Sequence, residues 1–155
     1  MDIQEVIGKL PFGEMVDCGG RTITEGEFAL LTDLTWTTGR THTNKMHMAK
    51  TLFGERVLAG GIILPLMGGQ ASQSGYYDKI RNEYHIKTLV LIGYEDVRFK
   101  EPILPGDTMS TQIEMTEGRP TRNPGQGILK FRSIATKNDG RVVCEATQVY
   151  LFDLS

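Results

Sequence analysis

From Thr88 onward the chain is a succession of short segments with period-two alternation, and just upstream lies a stretch of apolar residues with no polar face. These two features constrain the fold most. Val97 and Phe99 alternate with Arg98 and Lys100, and Met109, Thr111, Ile113 and Met115 occupy one parity of the following segment. Such alternation predicts half-buried strands over about 88–92, 95–100, 108–117, 128–137 and 141–152. Asn138-Asp139-Gly140 contains an Asp-Gly pair, the strongest short-range hairpin signal in the chain. The upstream stretch predicts one helix over about 61–81, because Ile62, Ile63, Leu64, Leu66, Met67 and Ala71 fall on all sides of it. Pro65 is tolerated only near a helix start, which places that start at Gly60-Gly61. Most of such a helix should be buried, and Gly68, Gly69, Ala71 and Ser72 are small enough for a sheet to pack tightly on it. The expectation is an α+β domain of short helices, one long buried helix and a mostly antiparallel sheet.

The remaining residues add smaller elements. Residues 1–20, with Pro11 and four glycines, read as an irregular leading segment. Thr24 and Glu27 form a capping box ahead of Phe28, Leu31 and Leu34, predicting a short amphipathic helix over about 25–34. Asn44 caps a second short helix over about 45–51, which Phe53-Gly54 ends. A length of 155 residues fits one domain, and neither a repeat nor a charge block argues for a second. A net charge of -2 gives no reason to expect nucleic acid or an anionic membrane as partner. Cys18 and Cys144 lack metal-ligand spacing and read as two free thiols. The first ten residues carry Asp2, Glu5 and Lys9 and no apolar run, so a cytoplasmic protein is expected.

Three segments then carry a resemblance. Gly20-Arg21-Thr22-Ile23-Thr24 looks like the G-R-T-(V/I)-T opening of the MaoC-like dehydratases, the hot-dog-fold family of (R)-specific enoyl-CoA hydratases. Val97-Arg98-Phe99-Lys100-Glu101-Pro102-Ile103-Leu104-Pro105-Gly106-Asp107-Thr108 is similar to the family's VRFxxPVxPGDT, the most specific match. The stretch from Leu34 to Gly61 is the third: His42 lies eleven before Phe53, as in the family's histidine segment, and Gly60 falls on the glycine of its A-H-G. The resemblance covers roughly residues 17–152. It implies a single hot-dog domain, an antiparallel sheet wrapped around a long central helix, that adds water to an enoyl thioester, or removes it, with an aspartate and a histidine acting on one water. A backbone amide of Gly60 or Gly61, at the helix start, would hold the carbonyl oxygen as it gains charge. Glycine there lets the substrate approach the backbone closely.

The departures from that pattern are specific. The aspartate position, five before the histidine, is Thr37, which cannot serve as a general base near neutral pH. The family aspartate two after the histidine is Asn44, and the A-H-G histidine is Ala59. Leu34-Thr35-Trp36-Thr37 resembles the L-T-x-N of a mesaconyl- and methylmalyl-CoA hydratase branch, which also lacks the acid. The candidate catalytic residues are therefore His42, Gly60, Thr37 and Asn44. Candidate substrate contacts are Gly61, Trp36 lining an acyl pocket, and Arg98 and Lys100 on carrier phosphates. Each has a plainer reading: Gly60-Gly61 as a helix-start spacer, Trp36 as a core anchor, Arg98 and Lys100 as a solvated strand face. Asp33 replaces the missing acid only if the helix end turns it inward. Asp107 reads as a turn residue bonding its own backbone. His47 is expected on the outer face of its helix, and His85 at the surface. Arg119 and Arg122 in the long hairpin loop are weaker phosphate candidates. No metal is expected, since His42 and His47 are five apart.

Two readings of function follow. One is a hydratase or dehydratase of acyl-CoA or acyl-carrier thioesters needing no other cofactor. The other is a catalytically silent thioester-binding subunit of a heteromeric hydratase, motivated by Thr37. A hot-dog thioesterase ranks lowest, because Ala59-Gly60-Gly61-Ile62 offers no carboxylate at the helix start. The resemblance also implies pairing of hot-dog sheets edge to edge, as a homodimer or with a related subunit.

Overall fold

Thr111 at the centre of the sheet donates to the buried Gln70 side chain at 2.5 Å, and Gln70 donates to the Met109 carbonyl at 2.8 Å, fastening the principal helix across the strands. The computed structural model describes residues 2–155. In chain order the elements are α1 (Ile3–Lys9), β1 (Met15–Thr22), α2 (Glu25–Leu34), α3 (Arg40–Thr43), α4 (Lys45–Met48), α5 (Gly60–Gln73), α6 (Tyr76–Glu83), β2 (Thr88–Phe99), β3 (Thr108–Pro120), β4 (Gln126–Lys137) and β5 (Val142–Asp153). All five strands form one antiparallel sheet in the order β1-β3-β4-β5-β2. The expected α+β arrangement, a sheet around a central apolar helix, is the one observed.

The local signals explain most elements. Thr24 and Glu27 make both halves of the capping box, and α2 spans the expected residues. Asn44 accepts from the His47 amide at 2.8 Å and starts α4. Gly140, at φ +81°, closes the β4–β5 hairpin, with the Lys137 amide bonded to the Arg141 carbonyl at 3.0 Å. The alternating burial of β3, β4 and β5 turns one parity of each strand onto the helices.

Four expectations need correction. The leading segment is not irregular: Ile3, Val6, Ile7 and Leu10 form the packed face of α1, and β1 follows it as an edge strand on β3. At Gly20 in β1 an added side chain would meet the Ser110 hydroxyl, which would have to turn aside. The single helix over 61–81 is two, since Gly75 at φ +77° ends α5 and starts α6 in a new direction. Pro65 lies in the second turn of α5 rather than the first, where it withholds the amide that would bond the Gly61 carbonyl. Finally, the segments at 88–92 and 95–100 are one strand, β2, interrupted by register shifts at Leu91/Gly93 and Glu95/Arg98, with Asp96 at φ +52°.

Two apolar clusters fill the space between helices and sheet. One surrounds Phe131, which meets Tyr76, Tyr77 and Tyr150 edge-on at centroid separations of 5.3 to 6.2 Å. Gln148 satisfies two of its polar tips, accepting from Tyr77 at 2.8 Å and Tyr150 at 3.1 Å and donating to Ser133 at 2.9 Å, while the buried Tyr76 hydroxyl has no partner among the described residues. Burial pushes the Tyr77 and Tyr150 hydroxyls up, so both stay neutral donors. The other cluster holds Ile62, Ile63 and Met67 against Ile103, Met109 and Val143, beneath α2. That second cluster underlies the site.

Candidate functional site

The start of α5 is an open helix terminus. Ala59 precedes it without a side-chain oxygen, and no side-chain cap is made there. Its first amides have no carbonyl one turn upstream within the helix. Gly60 sits beside a groove of about 300 Å³ walled by Phe53, Val57, Ile63, Phe99, Lys100 and Glu101. The Phe99 ring lies so close over Gly60 that an added Cβ would meet it at 3.1 Å. A side chain at position 60 would therefore push the Phe99 ring aside by a few tenths of an ångström. Gly61 faces solvent, with open space beside it.

His42 is attached to the same wall. Its Nδ1 lies 2.6 Å from the carbonyl of Val57, one of the groove-lining residues. A carbonyl can only accept, so Nδ1 carries the proton and Nε2 of the neutral ring is left with its lone pair. The sequence places His42 in α3, a single turn opened by Gly39. The Val57 amide returns a bond to the Thr41 carbonyl at 3.3 Å, so α3 and the segment before α5 are tied together twice. Ile103 then accepts from the Leu58 amide at 2.8 Å, which brings the Glu101-Pro102-Ile103 stretch alongside.

A cluster that the sequence did not advertise holds this segment. Arg56, one residue before Val57, forks onto Glu25 of α2 through Nη1 at 2.7 Å and Nη2 at 2.9 Å, and reaches Glu55 through Nε at 3.0 Å. Its guanidinium also lies 5.5 Å from the centroid of the Phe28 ring. The guanidinium bond holds the Glu25 carboxyl below the usual glutamate range; Glu55, which accepts from both the Arg56 amide and guanidinium, is lowered likewise. On the other side, the buried Lys137 donates to the Pro102 carbonyl at 2.9 Å and lies 3.7 Å from Asp107. Asp107 accepts from the Leu104 amide at 2.9 Å, as a turn residue should. These anchors fix both walls of the groove.

The other candidates fare unevenly. Thr37 is half-buried, and its hydroxyl pairs with that of Thr35 at 2.8 Å. Asn44 commits its side-chain oxygen to the α4 cap. Trp36 is neither core anchor nor groove lining: 88% exposed at φ +57°, it projects from the turn after α2. Asp33 is exposed on the last turn of α2 and does not turn inward. Lys100 lines the groove and bonds Glu145 at 3.0 Å. Arg98 is exposed on β2 and donates to the neighbouring Val97 carbonyl at 2.8 Å. His47 is half-buried rather than outward, and His85 is exposed as expected. Cys144 is buried, which pushes its thiol up to about 11, and Cys18 is half-buried with its thiol also raised; neither is a poised nucleophile. Among the described residues no group of His, Cys, Asp or Glu is placed to hold a metal. No helix among them is long and apolar enough to cross a membrane.

Comparison with known proteins agrees with this architecture. No known family profile matches the chain. Among curated proteins it is 30% identical over 96 residues to the 3-hydroxyacyl-[acyl-carrier-protein] dehydratase FabZ of Klebsiella pneumoniae, 62% of this chain and 58% of that one. The chain thus spans only part of the length of such relatives. Among solved structures, a monoamine oxidase regulatory protein from Archaeoglobus superposes with a TM-score of 0.83 at 23% identity, over 96% of this chain and 94% of that one. An R-hydratase from Pseudomonas aeruginosa superposes with a TM-score of 0.71 at 17% identity, over 93% and 83%. MaoC-like dehydratases share the arrangement as well. The chain has the hot-dog fold of the MaoC-like dehydratases and (R)-hydratases.

Proposed function

We propose that the chain is a hydratase/dehydratase of enoyl thioesters, with His42 as the acid/base and the Gly60 and Gly61 amides as the oxyanion site. The observation that carries this reading is the Nδ1 contact of His42 to the Val57 carbonyl, which leaves Nε2 with a lone pair, while Val57 itself lines the groove that reaches Gly60 at the start of α5. In hydration, the water oxygen bonds to the β-carbon as Nε2 takes one of its protons. The double-bond electron pair moves toward the thioester oxygen, held by the helix-start amides. The imidazolium then returns the proton to the α-carbon, so atoms and charge balance. Dehydration is the reverse. No further cofactor is needed, because the thioester itself supplies the activated carbonyl.

The carrier is coenzyme A or an acyl-carrier protein, whose phosphates Arg98 on β2 and Lys100 on the groove wall would meet, Lys100 exchanging Glu145 for them. A partner subunit fits the same reading. Val90, Leu91, Ile92 and Phe99 are apolar and exposed along β2, an outer strand of the sheet, and pairing with a second hot-dog subunit would cover them. That subunit is another copy or a related chain. The latter belongs with the second reading, a silent binding subunit, which is favoured by the Thr37 hydroxyl where a carboxylate is expected. A solved 3R-hydroxyacyl-ACP dehydratase from Mycobacterium tuberculosis is such a two-chain complex, HadBC, with a TM-score of 0.68 to this chain. Coenzyme A thioesters met in the cell interior agree with a cytoplasmic location.

The test is turnover of a panel of 2-enoyl-CoAs by the purified chain, followed as loss of the conjugated thioester absorbance. His42→Ala should lower kcat by about 10²- to 10⁴-fold, the usual contribution of a positioned acid/base. Equal turnover in both proteins removes His42 from the mechanism. Acyl-CoA binding in calorimetry without any turnover favours the silent subunit.

A further inference from the structure

Where the fold family's acid should stand, the chain has Thr37, yet the groove beside Gly60 is not without a carboxylate. Among the residues lining it, Glu101 is the one acidic side chain. Its Oε2 is held by Arg141 Nη1 at 2.9 Å, while Oε1 makes none of the described hydrogen bonds. Arg141 is itself fixed by Asp139 through Nε at 2.7 Å, so the guanidinium is a positioned anchor. The backbone of this stretch is equally constrained, with the Ile103 carbonyl bonded to the Leu58 amide and the Pro102 carbonyl to buried Lys137. Glu101 thus lines the groove, and His42 is fixed to Val57, another of its lining residues.

We propose that Glu101 is the carboxylate of this active site, supplied by the loop after β2 instead of the segment before the histidine. This rests on the hydratase reading above. In hydration, Glu101 Oε1 accepts a hydrogen bond from one O–H of the attacking water. That bond aligns the oxygen lone pair with the β-carbon, while His42 Nε2 takes the other proton and later delivers it to the α-carbon. Glu101 keeps no proton at the end, and the hydroxyl remains on the product.

The groups facing Glu101 are Arg141 and Asp139 from the β4–β5 turn, and Lys100, whose ammonium is turned to Glu145 on β5. None of them reaches Oε1, so replacing the carboxylate by an amide tests the oxygen itself. The expected result for Glu101→Gln, in the full chain with a 2-enoyl-CoA, is a kcat at least about 100-fold lower with KM within about threefold. Glu101→Asp should recover part of the loss, and Arg141→Lys should lower kcat less than Glu101→Gln does. The thermal midpoints of all three should stay close to wild type, because the side chains are surface-accessible. An active wild type with unchanged kcat in Glu101→Gln overturns the assignment and leaves the hydratase reading standing. A loss that appears as KM alone also overturns it, marking Glu101 as a binding residue. A wild type that turns over no thioester overturns both.

Discussion

Replacing Gly60 by alanine separates the chemistry of the site from the stability of the fold. A methyl at this position would lie against three atoms of the Phe99 ring edge, Cε2 and Cζ at 3.1 Å and Cδ2 at 3.2 Å. Carbon atoms rest at about 3.5–4.0 Å, so the ring must withdraw by about half an ångström. Phe99 is half exposed and can do so, at a cost of about 1 kcal/mol or less. Against this stands the better helix propensity of alanine, at most about 1 kcal/mol at a terminal position. The two nearly cancel. For a chain of 155 residues, a net change within about 1 kcal/mol moves the thermal midpoint by no more than about 2–4 °C. Function should not be spared in the same way. The methyl and the displaced ring occupy the space in front of the helix-start amides, and losing one oxyanion donor costs about 10²- to 10³-fold in kcat. The assay is enoyl-CoA hydration by Gly60→Ala beside calorimetric unfolding of the same preparation. Activity within threefold of wild type at an unchanged midpoint would refute the oxyanion role. A collapse of stability would refute the packing argument instead.

Two further perturbations test the scaffold. Gly127→Ala should destabilise by about 1–3 kcal/mol in urea unfolding, because the new Cβ would overlap the fully buried Phe152 ring and lie 2.9 Å from the Arg119 carbonyl; a neutral result would mean that β4 and β5 pack less tightly there. The Arg56 cluster predicts a pH dependence. Glu25 and Glu55 have folded-state values below the ordinary 4.5, so the stability they contribute is present above about 4.5 and is lost as the pH falls through the lowered values. Arg56→Met should flatten that acid limb in thermal unfolding at stepped pH, and an identical limb in both proteins would remove the cluster from the account.

What could be read from the sequence was what is specified locally. The Thr24–Glu27 capping box, the Asn44 cap and the Asp139-Gly140 turn each act within a few residues, and all were found where expected. β1 was missed because its strand character comes from pairing with β3, about ninety residues away, and its own glycines argue for a loop. The fused reading of α5 and α6 overlooked a single left-handed glycine, while β2 was divided because its bulges interrupt the alternation. The site shows the same division. The motif count singles out His42 and Gly60, whose local settings depend on near neighbours. Arg56 and Lys137 went unnoticed, because an arginine or lysine looks solvated until remote segments, α2 for one and the loop after β2 for the other, close around it. Trp36 erred in the opposite direction: a large aromatic invites a buried reading, yet a turn with positive φ points it outward.

The bond from His42 to the Val57 carbonyl has an evolutionary consequence. Every amino acid offers the same carbonyl, so drift at position 57 leaves the imidazole tautomer untouched. Selection on the histidine's orientation would therefore act on the chain path between α4 and α5 and on the arginine that anchors it. Two descendants could differ at every side chain touching the ring and still leave the same ring nitrogen unbonded to the backbone. Their kinship in chemistry would survive as a shape of the backbone long after it had faded from the letters.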